Sequence, residues 1–269
     1  MMARAIWKAL IRFGEVSVPV KLYSAVQDQA VHFRLLHEKD LEPVRQHMVN
    51  PLTGKVIPTE DVRRGVEVKR GEFVLVGEGE IESIEPDASR DIEIMRFVPA
   101  AQIDHIWYDR PFYLGPDGRT GAYFALARVL GDQQRIGVAR WVMRKRRYAG
   151  ALCAGGGNGR DGSDHLMLIT LRASGAVVPS SEVDAPGGRA LDQRELRMAR
   201  QLVDALEDDF DPSAYRDEFR DRVLELVHAK AKGRKAPEKR GKRRAPSRKS
   251  LAAELEASLK QTERRKAAA

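Results

Sequence analysis

The sequence predicts an α+β protein with a strand-rich core over residues 1–190, helices over 191–233 and a basic extension over 234–269 that ends in a short helix. Three observations carry this prediction. Apolar residues recur with a period of two through the first 180 residues, broken by Gly and Pro; past Leu191 the period becomes helical; and positive charge concentrates beyond Lys230. Many short strands with turn signals between them suit a barrel or a strongly bent sheet.

Taken in order, GEVSVPVKLYSAV alternates Val16, Val18, Val20 and Leu22 with Ser17, Pro19, Lys21 and Tyr23, the pattern of a half-buried strand. Pro19 lacks an N–H, which predicts an edge or a bulge there. Asn50-Pro51-Leu52-Thr53-Gly54 marks a short hairpin, EFVLVGEGEIESI and RDIEIMRFVP are strand candidates, and PFYLGPDGRTGAYFALARVL runs from strand through turn into a helix at Gly121 to Leu130. Read as one strand, RIGVARWVMRKRRYAGALCA places Arg140, Val142, Arg144 and Arg146 on one face and Trp141, Met143, Lys145 and Arg147 on the other. GGGNGRDGS is a glycine-rich loop before the strand HLMLITL.

Asp192 with Glu195 three residues on forms a capping box, and Leu196, Ala199, Val203, Leu206 and Phe210 make one apolar stripe. Asp211-Pro212 is expected to stop that helix and start another, whose apolar face is Tyr215, Phe219, Val223 and Leu226 and whose end is Gly233. Ser250 can cap a last helix bearing Leu251, Leu255 and Leu259.

The residues for common catalytic chemistry are not arranged for it. The six histidines, at 32, 37, 47, 105, 165 and 228, form no zinc motif, and Cys153, the only cysteine, has no motif pairing it with a base. GGGNG and GPDGRTG lack the GK[ST] ending of a phosphate loop, and no GxSxG elbow occurs. Asp208, Asp209 and Asp211 read as a helix end and an N-cap rather than a nuclease centre. The expectation is therefore a binding protein with no catalytic residue, metal or cofactor. A single cysteine, no export signal and no apolar run of 18 residues predict a soluble, cytoplasmic chain with no membrane partner.

The full chain carries 47 Lys plus Arg against 39 Asp plus Glu, a net +8. From Lys230 onward there are 15 basic and 4 acidic residues, which leaves 32 basic and 35 acidic in the body, or −3. A near-neutral body with a polycationic arm implies a polyanionic partner. Pro237 and Pro246 and the lack of large apolar residues in AKAKGRKAPEKRGKRRAPSRKS predict a disordered arm that tracks phosphates by counterion release. Candidate contacts in it are Lys232, Arg234, Lys235, Lys239, Arg240, Lys242, Arg243, Arg244, Arg248 and Lys249. The arginine-faced strand adds Arg140, Arg144, Lys145, Arg146 and Arg147 as a second cationic surface. Neither surface interleaves aromatics as single-strand binders do, and neither offers a recognition helix, so the expectation is a grip on duplex backbone without base readout. A general nucleoid-associated protein acting mainly through its tail is the alternative.

RAIWKALIRFGEVSVPVKLYSAV, HFRLLHEKD, ASRDIEIMRFVPAAQIDHIWYDRPFYLGP and ELRMARQLVDALEDDFDPSAYRDEFRDRVLELVHAKAKG occur in this order, and together they resemble successive segments of bacterial Ku proteins over most of residues 3–233. The resemblance implies a β-barrel core with an arm or bridge, two copies of which interlock into a ring around a double-stranded DNA end. It also implies a role in non-homologous end joining, with recruitment of ATP-dependent ligase D. By the same resemblance Arg140 to Arg147 lies in the bridge facing DNA, and ligase contact falls within Glu195 to Lys232, with Glu195, Arg200, Asp204, Tyr215, Arg216 and Phe219 as candidates. Some relatives carry a CxxC pair in the early hairpin; the corresponding stretch here, Met48 to Gly54, has no cysteine, so no metal is implied.

Overall fold

A computed structural model describes residues 4–118, 120–155, 165–183, 192–234 and 255–261. It divides into two units, one of residues 1–28 and 34–182, the other of 29–33 and 183–269.

The first unit is built on a closed seven-stranded barrel in the order β1-β2-β6-β9-β8-β7-β5. Its strands are β1 (Trp7–Phe13), β2 (Val16–Ser24), β5 (Asp91–Pro99), β6 (Tyr108–Pro116), β7 (Arg135–Met143), β8 (Arg146–Gly155) and β9 (His165–Leu171). Neighbours pair antiparallel except at the closure, where Leu10, Ile11 and Arg12 of β1 run parallel to Asp91, Ile92 and Glu93 of β5. The alternation read in β2 faces the barrel interior, since Val18, Val20 and Leu22 are fully buried with Ile11, Ile92, Leu152, Leu166 and Leu168. Closure removes the barrel's edges, and β2 is flanked on both sides in ladders without a register shift, so neither the expected edge nor the expected bulge is found at Pro19. The β2–β6 ladder ends at Val20 opposite Pro116, one residue short of Pro19, whose carbonyl accepts from Asp117 N at 3.0 Å. A proline is tolerated there because no ladder donor is required of it.

Helix α2 (Thr120–Asp132) covers the predicted Gly121 to Leu130 and buries Tyr123, Leu126, Ala127 and Leu130 against the barrel. Leu114–Leu166 is the last pair of the β6–β9 ladder, and the Tyr123 hydroxyl completes it by donating to Leu114 O and accepting from Leu166 N at 2.9 Å.

Between β2 and β5 the chain leaves the barrel. Asn50 takes the turn predicted for it, with its side chain accepting from Leu52 N at 2.9 Å and Gly54 at φ +68°, beside a single bridge between Val49 and Val56. Strands β3 (Arg64–Lys69) and β4 (Glu72–Val76) form a separate two-stranded sheet, and the expected continuation of β4 is instead a short helix, α1 (Glu78–Ser83), begun at Gly77.

In the second unit α3 (Gln193–Leu206) starts at the predicted capping box, with Asp192 accepting from Glu195 N and Glu195 from Asp192 N, each at 3.3 Å. Its protected apolar residues are Leu196, Met198, Ala199, Leu202 and Ala205, whereas Val203 and Leu206 of the expected stripe are exposed and Phe210 lies beyond the helix end, exposed as well. The second helix does not start at Pro212. Asp211 caps only a single 3₁₀ turn, and α4 (Glu218–Ala231) begins at Asp217, whose carboxylate accepts from Arg220 N at 3.0 Å. Gly233, at φ +67°, closes α4 as predicted: its N–H reaches Lys230 O and that of Arg234 reaches Ala229 O, the paired bonds of a left-handed C-terminal cap. Helix α5 (255–261) contains Leu255 and Leu259; its expected cap Ser250, Leu251, and most of the GGGNGRDGS loop lie outside the described residues.

Candidate nucleic-acid interface

The stretch Arg140–Arg147 is a hairpin rather than one strand. Register pairs Met143 with Arg146, so Arg144 and Lys145 alone make the turn, at φ +50° and +64°. Two positive φ values are what a type I′ connection requires. Arg and Lys are not the residues that favour this backbone, and left-handed geometry costs such side chains about 1–2 kcal/mol each. The turn regroups the cations. Cross-strand pairing of Arg140 with Ala149 and of Val142 with Arg147 puts Arg140 and Arg147 on the outer face. Arg146 falls on the side of Trp141 and Tyr148, and Arg144 and Lys145 occupy the tip. The shared face expected for Arg140, Arg144 and Arg146 is therefore not formed.

The far end of the hairpin projects from the barrel, because the β5–β7 ladder stops at Trp141 and the β8–β9 ladder begins at Ala149. It is stiffened by Tyr148 stacked on buried Trp141, with centroids 5.5 Å apart and planes 17° from parallel.

Neighbouring carboxylates divide the cations into two groups. Arg140 Nε lies 3.0 Å from Glu93 Oε2. Lys145 Nζ lies 3.0 Å from Glu85 and 3.8 Å from Glu82, and its hydrogen bond to Glu85 raises the amine above the ordinary lysine value. Arg144, Arg146 and Arg147 are exposed and meet no carboxylate among the described residues. Two clefts flank the hairpin. One, of about 620 Å³, is lined by Arg12, Asp91, Glu93, Arg140 and Arg147; the other, of about 310 Å³, by Trp7, Arg90, Met143, Arg144 and Lys145. Sequence reading missed Arg12 and Arg90. Their only signal is outward alternation in β1 and proximity to Asp91, and the parallel β1–β5 closure is what carries them to the hairpin.

The remaining candidates divide as follows. Glu195 is buried and serves the α3 cap, so its carboxylate is not offered to a partner. Arg200 and Asp204 are exposed on α3, Tyr215 and Phe219 are both 74% exposed, and Arg216 pairs with Asp221 at 3.5 Å. Lys232 is the C-cap of α4 and Arg234 follows it, both exposed. Lys235, Lys239, Arg240, Lys242, Arg243, Arg244, Arg248 and Lys249 lie outside the described residues. Asp211 accepts from Ser213 N and Oγ, which holds its carboxyl below the usual range, as an N-cap does. Among the described residues no group of His, Cys, Asp or Glu could hold a metal, and no helix is long and apolar enough to cross a membrane.

A closed barrel with an added sheet and a projecting hairpin that exposes arginines defines a β-barrel protein with a rigid cationic surface. The model of the Ku70/Ku80 beta-barrel domain matches residues 12–196, and the chain belongs to the Ku family. It is 38% identical over 234 residues to the non-homologous end joining protein Ku of Pseudomonas aeruginosa, covering 86% of this chain and 78% of that one. The Ku of Mycolicibacterium smegmatis is 33% identical over 240 residues (87% and 73%), and that of Opitutus terrae 32% over 263 (96% and 92%).

Proposed function

We propose that this chain binds double-stranded DNA ends without sequence preference in non-homologous end joining, as a ring-shaped homodimer that recruits ATP-dependent ligase D. The observation that carries the DNA reading is the projecting β7–β8 hairpin, where Arg144, Arg146 and Arg147 stand exposed beside two clefts and meet no carboxylate among the described residues. Guanidinium groups held on a stiff hairpin can meet successive phosphates and read no base. The basic tail adds a second, sequence-independent attraction.

The β3–β4 sheet supports a homodimer. Val66, Val68, Phe73, Val74 and Leu75 are each more than half exposed, so both faces of this hairpin carry apolar surface in the single chain. A two-stranded sheet is marginal alone, and a second copy related by two-fold symmetry covers it. If two such arms close around the duplex, entry is from an end, and topology supplies the selectivity that contacts lack. For ligase D, the exposed candidates Arg200, Asp204, Tyr215, Arg216 and Phe219 support a contact on α3, α4 and their connection.

The test is competition between linear and closed circular duplex of one sequence. End binding predicts that the linear form competes far better per site; equal competition removes the ring. If binding to every DNA form vanishes when residues beyond Gly233 are removed, the nucleoid-associated alternative takes its place.

A further inference from the structure

The second unit leaves an aromatic face uncovered. Val203, Leu206, Phe210, Tyr215 and Phe219, running from the end of α3 to the start of α4, are each at least 62% exposed. Phe210 and Tyr215 stack on each other, centroids 5.3 Å apart, without joining a core. The same segment, residues 204–221, holds eight acidic and two basic residues, a net −6. Glu218 and Asp221 are matched by Arg222 and Arg216, but Asp204, Glu207 and Asp208 meet no basic side chain among the described residues. Exposed rings edged by uncompensated carboxylates receive guanidinium and ammonium groups, by cation–π attraction and by charge-assisted hydrogen bonds.

This chain supplies a segment of matching chemistry. Residues 234–250 carry nine basic residues and one acidic, a net +8. They begin one residue after the Gly233 cap, and α4, at 14 residues, is about 21 Å long. A chain of that length can span roughly 55 Å, so it reaches back along α4 to the face. A short tether holds the two at an effective concentration in the millimolar range.

We propose that, in the absence of DNA, residues 234–250 dock on the acidic, aromatic face formed by residues 203–219, and that DNA competes for the same cations. The proposal rests on the reading that the tail meets phosphate. Its consequence is a coupling: duplex draws the tail away and uncovers the face, and whatever occupies the face frees the tail for duplex, each by the same factor.

Two measurements on the full chain test it. In the first, Asp204→Asn, Glu207→Gln and Asp208→Asn are combined, with and without Arg243→Gln, Arg244→Gln, Arg248→Gln and Lys249→Gln, and affinity for a linear duplex is measured at low salt. Docking predicts that neutralising the acids tightens binding about five- to thirtyfold with the native tail, as expected for three exposed ion pairs, and by a smaller factor with the tail that keeps five of its nine cations. An equal gain in both backgrounds means plain repulsion between the acids and DNA and overturns docking, as does no gain in either. The second needs no DNA binding. Zero-length carbodiimide coupling, mapped by peptide mass, should join Lys235, Lys239 or Lys242 to Asp204, Glu207 or Asp208, and 1 M salt should abolish the link. Its absence at low salt refutes docking whatever the DNA results. A link formed by a chain that fails to bind duplex would instead sink the DNA reading alone.

Discussion

Glu93 Oε2 lies 3.0 Å from Arg140 Nε across the β5–β7 ladder, so the hairpin arginine seated on the barrel itself already has its counter-charge. Arg147, two residues beyond the turn and on the same face, has none among the described residues. The two should therefore differ as phosphate contacts. In the proposed complex, Arg144→Ala with Arg147→Ala should lower the slope of log affinity against log salt by about 0.9 per lost contact, and Arg140→Ala by less. Titrations of linear duplex from 50 to 200 mM salt measure this. Slopes unchanged from the native chain in every substitution would reassign the hairpin to a role away from DNA.

The stiffness of that hairpin depends on a missing side chain. A Cβ built on Gly150 would lie 2.6 Å from the ring carbons Cη2 and Cζ3 of Trp141 and 2.7 Å from the carbonyl of Ile169, and neither backbone nor buried indole can withdraw cheaply. Gly150→Ala should cost about 1–3 kcal/mol by overpacking, visible as a lower midpoint in urea. A neutral result would mean that Trp141 has room to move.

The exposed β3–β4 hairpin predicts how the chain associates. Phe73→Asp with Leu75→Asp places charge on side chains that are 63% and 67% exposed in the single chain, so the fold of the barrel should survive. A homodimer built on this surface should dissociate by two orders of magnitude or more in concentration, as sedimentation would record. An unchanged dimer would place the interface elsewhere.

Asp117 gives a pH signature. Lys21 at 2.9 Å and Lys8 at 3.2 Å hold its carboxyl below the ordinary carboxylate value. A folded value depressed below the unfolded one stabilises above the unfolded pKa and loses that contribution as pH falls through the folded pKa. Melting temperatures of the native chain and of Asp117→Asn should therefore differ at pH 7 and converge only in acid below the ordinary carboxylate value. A gap that persists in acid would mean that packing rather than charge is responsible. Lys21, raised by the same pair, would lose its share only above the usual lysine value.

Burial pushes the Cys153 thiol up to about 11, so little thiolate exists at pH 8. Alkylation by iodoacetamide should be slow in the native chain and fast in denaturant. Rapid native labelling would show that β8 opens locally.

The difference between what was legible in sequence and what was not follows from the range of each signal. The capping box at Asp192, the C-terminal cap at Gly233 and the alternation of β2 depend on residues within a few positions of one another, and sequence showed all three. The Arg144-Lys145 turn was missed because neither residue advertises positive φ, and reading through it as a strand misplaced Arg146 and Arg147. The false helix start at Pro212 arose because Asp211 does cap, but only one 3₁₀ turn.

By itself the sequence determined the class of fold, the change from strands to helices near Leu191, the segregation of charge into the tail and, through long matching blocks, membership of the Ku family. Each is written in local pattern or in bulk composition. The tertiary structure alone decided that Arg12, Arg90, Arg140 and Arg147 edge adjoining clefts, that Glu93 answers Arg140 while Arg147 meets no carboxylate among the described residues, and that the apolar side chains of β3–β4 are exposed. Those facts follow from a parallel strand closure and a two-residue turn that join positions far apart in the chain, which no local pattern encodes.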